Sequence, residues 1–265
     1  MLGIGSGAWE PAGVTSPGGL FDSHLHVIDP RFPLVSNRGY RPDPFKVEDY
    51  RAAAPAGVVG GAVVSGSFQG FDQSYLVAAL HQLGPGFAGV TQLPADVEAH
   101  RLSELHASGV RAVRVNLFRG GSEALQNLEE LAHRVHEVVG WHTELYVDSR
   151  DLVELEPRLR ALPRISIDHL GLSRVGFPAL LRLAERGARV KATGFGRTDL
   201  DLSRALAELD VANPHALMFG TDLPCTRAPR PFREDDVDAL VAAVGENHAD
   251  LVLRANAQSL YRPPS

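Results

Sequence analysis

The chain has 265 residues, 44% of them hydrophobic and 22% charged, with a net charge of −6 at pH 7. That balance is ordinary for a water-soluble globular protein and speaks against a general nucleic-acid binder, and no basic stripe with interleaved aromatics occurs. No run approaches the roughly 18 apolar residues of a membrane span, and a single cysteine, Cys225, leaves no intrachain disulfide, which fits a reducing cytoplasm.

Residues 1–19 are rich in Gly, Ser and Pro and lack the basic and apolar blocks of a secretion signal, so they read as a flexible tail outside the fold. Gly3, Gly5 and Gly7 superficially suggest a nucleotide loop, but no strand precedes them. Beyond the tail, short β-rich runs are expected near 20–26, 57–65, 87–92, 110–117, 141–148, 164–169, 188–194 and 216–221. Between them lie amphipathic stretches near 46–55, 73–83, 96–108, 123–139, 150–161, 177–186, 200–210 and 234–245, with a last one at 254–261. Ser122, Asp148-Ser149 and Gly187 carry the boundary signals of helix ends. Eight strand–helix units without a break in composition predict a single-domain (β/α)₈ TIM barrel over 20–262, with an open parallel α/β sheet as the competitor.

Barrels of this kind place their chemistry at the C-terminal ends of the strands. The first strand ends in His24 and His26, two residues apart and so on one face. The fourth, Val110 to Asn116, turns Val113 and Val115 to the helices and Arg114 and Asn116 to the lumen. A guanidinium there needs an anion: a carboxylate on a neighbouring strand, or a substrate carboxylate or phosphate gripped with Arg119. The fifth presents His142, Glu144, Tyr146 and Asp148 on its polar parity, with Tyr146 near the mouth and His142 and Glu144 read as a satisfied pair deeper down. The sixth ends in Asp168-His169, and the eighth delivers Asp222 ahead of Pro224, too far from the next helix to be its cap. His24, His26, His169 and Asp222 thus converge as a catalytic set.

Those pieces resemble the amidohydrolase superfamily, and within it the branch of 2-pyrone-4,6-dicarboxylate lactonase and sugar-lactone hydrolases. The resemblance rests on Phe21-Asp22-Ser23-His24-Leu25-His26, Gly109 to Asn116, Gly140-Trp141-His142, Leu145-Tyr146-Val147, Ile167 to Gly171, Phe219 to Asp222, and the terminal Asn256-Ala257 with Leu260-Tyr261. It implies that Asp222 is the general base and then acid of a lactone hydrolysis. His24, His26 and His169 would polarise the scissile carbonyl. Arg114, Arg119 and Tyr146, and more loosely Tyr40 and Ser67, would contact a small anionic lactone. The chain departs from the branch at Leu172, where an arginine is expected (Arg174 follows two residues on), and at Leu223-Pro224-Cys225, in place of Trp-Pro-His. Cys225 has no evident activating partner.

With Arg114 and Asn116 on the fourth strand, a lysine-bridged binuclear centre is excluded. A single zinc or manganese held by His24, His26, His169 and Asp222 is the alternative to the metal-free chemistry that the resemblance favours, and Arg114 would repel such an ion. The loops 27–45 and 223–233 should shape the pocket, with Arg227 or Arg230 as a further carboxylate contact. Rival readings are a metal-dependent hydrolase of sugar or muconate-type lactones, a non-oxidative decarboxylase and a non-catalytic anion-binding barrel. Association of like copies is compatible with all of them.

Overall fold

The strand order follows the chain, and each neighbouring pair from first to eighth runs parallel. This is seen in the computed structural model, which describes residues 18–261; the tail expected over 1–19, with Gly3, Gly5 and Gly7, lies outside the described residues up to residue 17. The units are β1 (Leu20–Leu25) with α1 (Val47–Ala53), β2 (Val58–Val64) with α2 (Ser74–Leu83), β3 (Phe87–Thr91) with α3 (Ala99–Ala107), and β4 (Val110–Asn116) with α4 (Leu128–Val139). They continue as β5 (His142–Tyr146) with α5 (Ser149–Leu159), β6 (Ile165–Ile167) with α6 (Phe177–Glu185), β7 (Arg189–Ala192) with α7 (Leu202–Ala212), and β8 (Leu217–Phe219) with α8 (Asp235–Val244). A final segment, α9 (Glu246–Asp250), passes through a π turn at Leu251–Ala255 into α10 (Asn256–Tyr261). The architecture is the (β/α)₈ barrel. No helix among the described residues is long and apolar enough to cross a membrane.

Alternation along the strands builds two apolar layers. Val63, Val113, Val115, Leu145, Ile167, Val190 and Leu217 pack outward against the helices in the main core. Phe21, Ala62, Val64, Ala88, Val90, Ala112 and Met218 fill the lower lumen, where Tyr261 of α10 enters as a plug and stacks on Phe21 at 5.8 Å. The alanines on β2, β3 and β4 leave the width that this aromatic ring occupies.

The seam between β8 and β1 closes through backbone and side chain together. Asp222 N donates to His24 O at 2.7 Å and His26 N to Leu223 O at 2.8 Å. Thr221 donates its N–H and its hydroxyl to the Asp22 carboxyl at 2.9 and 2.7 Å. Burial pushes that carboxyl up to about 6 in spite of these donors.

Helix ends follow the sequence in part. Asp148 caps α5 by accepting from Arg150 N at 3.0 Å, and Gly187 follows α6 with φ +99°. Ser122 does not cap α4, which starts at Leu128 after a short turn over Leu125–Asn127. Its Oγ instead accepts from Asn116 N at 2.7 Å and pins the exit of β4.

Candidate active site

Strict alternation would put Asp22, His24 and His26 on one face of β1. The pairing with β2 is irregular between Asp22 and Leu25, and this bulge changes the phase of the strand. Asp22 turns out to Tyr50 of α1, whose hydroxyl donates to it at 3.1 Å. His24 and His26 turn in, with ring centroids 5.0 Å apart and His169 4.8 Å from His24. His26 Nδ1 lies 2.7 Å from Val64 O. A carbonyl only accepts, so Nδ1 carries the hydrogen and a neutral ring offers a lone pair at Nε2.

Asp222 leaves β8 in the left-handed region, φ +62°, and His169 leaves β6 the same way, φ +51°. Non-glycine residues hold that conformation at a cost of about 1–3 kcal/mol, which the surrounding packing must offset. The turn brings Asp222 Oδ1 to 3.9 Å from His24 Nε2 and 3.7 Å from His26 Nε2. Both Asp222 Oδ1 and His24 Nε2 are buried without a hydrogen-bond partner. Asp222 Oδ2 is held by Arg197, which donates from Nε at 2.7 Å and approaches with Nη2 at 2.6 Å. Burial alone would raise the pKa of this carboxyl; Arg197 and the histidines outweigh it and hold Asp222 well below the usual carboxylate range. His169 is pushed down to about 3 by burial, against the pull of Asp222. Burial also lowers His24 well below an ordinary histidine. Near neutral pH the centre is therefore one carboxylate facing uncharged His24 and His169.

Arg197 was not among the expected residues. It sits in a turn (Phe195–Arg197) after β7, and the chain around it carries no local signal that separates it from the other arginines.

Below this layer lies a buried ionic network. Arg114 donates to Asp168 Oδ2 from Nε at 3.1 Å and Nη2 at 2.7 Å, and from Nη1 to Ser65 O at 2.9 Å. Lys191 Nζ lies 2.6 Å from Glu144 Oε2, whose other close partner is the Tyr261 hydroxyl at 2.9 Å. Burial raises the Glu144 carboxyl to about 7. The expected His142–Glu144 pair is not formed: Glu144 takes Lys191 and Tyr261, while His142 Nε2 is buried without a partner and its ring packs edge-on against Tyr261. Arg114 thus finds its anion in Asp168, the internal carboxylate pairing that the sequence allowed, and it also lines the cleft.

The cleft above opens to solvent, with about 360 Å³ of empty space counted together with its open mouth. His26, His169 and Asp222 lie on its surface, with His24 fully buried just behind them. Tyr40, Ser67, Arg114, Arg119 and Tyr146, all expected as substrate contacts, line it as well, joined by Arg197 and Arg227. The Arg114 guanidinium stands 5.1 Å and that of Arg119 6.0 Å from the centroid of the Tyr146 ring, and Arg227 lies 4.0 Å over Tyr40. Arg230 faces elsewhere and is paired with Asp236 at 2.8 Å. Cys225 is also outside the cleft; burial, with Asp222 nearby, pushes its thiol up to about 11, so it is no nucleophile near neutral pH.

Ligand atoms of His24, His26 and Asp222, and of His24, Asp168 and His169, approach within 4.8 Å of one another, close enough for one ion. Their surroundings do not fit a divalent cation. Arg197 occupies one oxygen of Asp222, Arg114 occupies Asp168, and the Nδ1 of His24 lies 3.2 Å from the Lys191 amine. Three cationic side chains beside the donor set oppose a further double charge.

The amidohydrolase family model matches residues 21–262, almost the whole described chain. The chain belongs to the amidohydrolase family. This amidohydrolase is 32% identical over 161 residues to a 2-pyrone-4,6-dicarboxylate hydrolase of Comamonas testosteroni, a match covering 58% of the chain and 52% of that enzyme, about half its length. It is 28% identical to a 4-sulfomuconolactone hydrolase of Rhizobium radiobacter, over 92% of the chain and 88% of the relative. A solved Pseudomonas putida structure, named as a candidate 2-pyrone-4,6-dicarboxylic acid hydrolase, superposes with a TM-score of 0.75 at 29% identity, covering 92% of this chain and 97% of its own.

Proposed function

We propose that this amidohydrolase opens a lactone bearing carboxylate groups by attack of a water molecule that Asp222 deprotonates. The observation that carries the reading is the unpartnered Asp222 Oδ1 facing the histidines at the floor of a cleft walled by Arg114, Arg119, Arg197 and Arg227. With its Nδ1 held at Val64 O, His26 turns Nε2 to Asp222 Oδ1 at 3.7 Å, and a water hydrogen-bonded between the two would be oriented for attack. In this scheme the proton passes to Asp222 as the water oxygen bonds to the carbonyl carbon. The resulting oxyanion is met by N–H donors from His24 and His169. Collapse of the tetrahedral species breaks the ring C–O bond, and Asp222 returns its proton to the leaving oxygen. The arginines hold the carboxylates of the substrate, as charge-assisted pairs in a partly buried cleft. The names of the relatives, both hydrolases of anionic ring compounds, support the same substrate class.

The test follows loss of the pyrone absorbance of 2-pyrone-4,6-dicarboxylate with protein exhaustively treated with chelator. Turnover is expected, and Asp222→Asn should lose about 10²–10⁴-fold in kcat with KM changed only a few-fold. Full activity in Asp222→Asn would remove the proposed base. Turnover that appeared only after zinc or manganese was restored would remove the metal-free route.

A further inference from the structure

Lys191 is one of only two lysines in the chain, and its side chain is fully buried inside the barrel. Nζ lies 2.6 Å from Glu144 Oε2, 3.7 Å from Asp168 Oδ1 and 3.2 Å from His24 Nδ1. A lysine ammonium set between the carboxyl groups of Glu144 and Asp168 has three hydrogens to give and no lone pair. His24 Nδ1 therefore meets a pure donor. It also lies 3.4 Å from Asp168 Oδ1, a pure acceptor that has no hydrogen-bond partner. These neighbours call for opposite tautomers. Lys191 needs Nδ1 bare, which places the ring hydrogen on Nε2; Asp168 needs Nδ1 to carry the hydrogen, which leaves Nε2 bare.

We infer that Lys191 holds His24 as the Nε2–H tautomer, and that by doing so it equips the site with an oxyanion donor and denies a divalent ion one of its three ligands. The inference rests on the lactonase reading only for the use made of that hydrogen. Nε2 is the His24 atom that faces Asp222 Oδ1 across 3.9 Å. With its hydrogen it can donate to a developing oxyanion and cannot ligate. Without it, Nε2 would join His26 Nε2 and Asp222 Oδ1 as a third ligand atom, and Asp168 would receive the Nδ1 hydrogen, the support that metal-bound histidines commonly have. One side chain behind His24 thus selects between two chemistries for the same three residues. Lys191 acts through His24 and is a positioning residue.

The experiment compares the chelator-treated wild type with Lys191→Met and with Lys191→Met/Glu144→Gln, in which loss of both charges leaves no unpaired buried carboxylate to unfold the barrel. With ¹⁵N-histidine labelling, two-bond ¹H–¹⁵N spectra report each tautomer, and His24→Gln assigns the signals. The wild type is expected to show His24 with bare Nδ1 and protonated Nε2, and the folded variants the reverse. Equilibrium dialysis should then find one zinc bound about 10–100-fold more tightly by the variants, while kcat for the lactone falls and KM stays within a few-fold. A wild-type His24 protonated at Nδ1 would overturn the inference, as would unchanged zinc affinity in a folded variant, which is what a lysine that merely packs would give. If the wild type turned over no lactone but the tautomer and zinc results came out as expected, the lactonase reading would fail and the role of Lys191 would stand.

Discussion

Arg197 sets the strength of the proposed base at the centre of the cleft. Its guanidinium clasps Asp222 Oδ2 and, with the neighbouring histidines, overrides a burial effect that would otherwise make the carboxyl less acidic. A carboxylate held that low stays ionised through the working range, at the cost of being a weak proton acceptor. The sign of the substitution follows. In Arg197→Met the burial contribution is no longer opposed by the ion pair, so the folded pKa of Asp222 rises. The acid limb of kcat, expected in the wild type below about pH 4, should move upward into the easily measured range in the variant. A pH–rate profile checks this, and an acid limb that stayed in place would separate Arg197 from the basicity of Asp222. The sequence exposes Asp222, His24, His26 and His169 because each follows or ends a strand-like run. It does not expose Arg197, because an arginine in an irregular turn gains meaning only from what lies across the barrel, here the exit of β8.

At the level of elements, most strands and helices are legible because the outward parity of most strands is aliphatic and the helices are amphipathic. What periodicity could not show is the bulge in β1, which is set by pairing with β2 and sends Asp22 out and His24 in. Nor could it place the start of α4, since Ser122 looks like a cap and is instead used by β4. The turn after β7 makes a prediction of its own. Gly194 has φ +61°, and a Cβ there would stand 2.6 Å from His169 Nδ1. Gly194→Ala should therefore keep the barrel and displace the histidine. A misplacement of about 1 Å in a catalytic group can cost about 100-fold in rate, and kcat measured beside the far-ultraviolet circular dichroism spectrum would show whether chemistry is lost while the fold is kept.

For the whole molecule, the buried titratable groups define how stability depends on pH. His24, His142 and His169 all have folded pKa values below the ordinary histidine value, with burial the leading cause. Below about pH 6.5 the unfolded chain takes up protons at these positions that the folded state refuses, so their contribution is lost as pH falls. Asp22 and Glu144, raised by burial to about 6 and about 7, act in the opposite sense: the folded state keeps protons that the unfolded chain gives up, and this stabilisation is lost as pH rises through those values. Three groups against two leave about one extra proton on the unfolded chain between roughly pH 5 and 6. Stability should fall by roughly 1 kcal/mol per pH unit on acidification in that window. Urea unfolding at pH 6 and pH 5 checks it, and a higher midpoint at pH 5 would show the carboxyls to dominate.

The seam between the first and last strands has a consequence for how this chain matures. Asp22 and Thr221, which clasp it, are 199 positions apart, and the proposed catalytic histidines and Asp222 stand immediately beside them. A ribosome-bound chain that had released the first seven strand–helix units would hold His24, His26 and His169 and still lack Asp222 and the strand that positions it. Catalysis would begin only after the two ends of the barrel meet, which makes activity a late reporter of completed folding. A circularly permuted chain with β8 and β1 joined by a linker and new ends cut elsewhere would move that moment earlier, since its two halves of the site would be neighbours in synthesis.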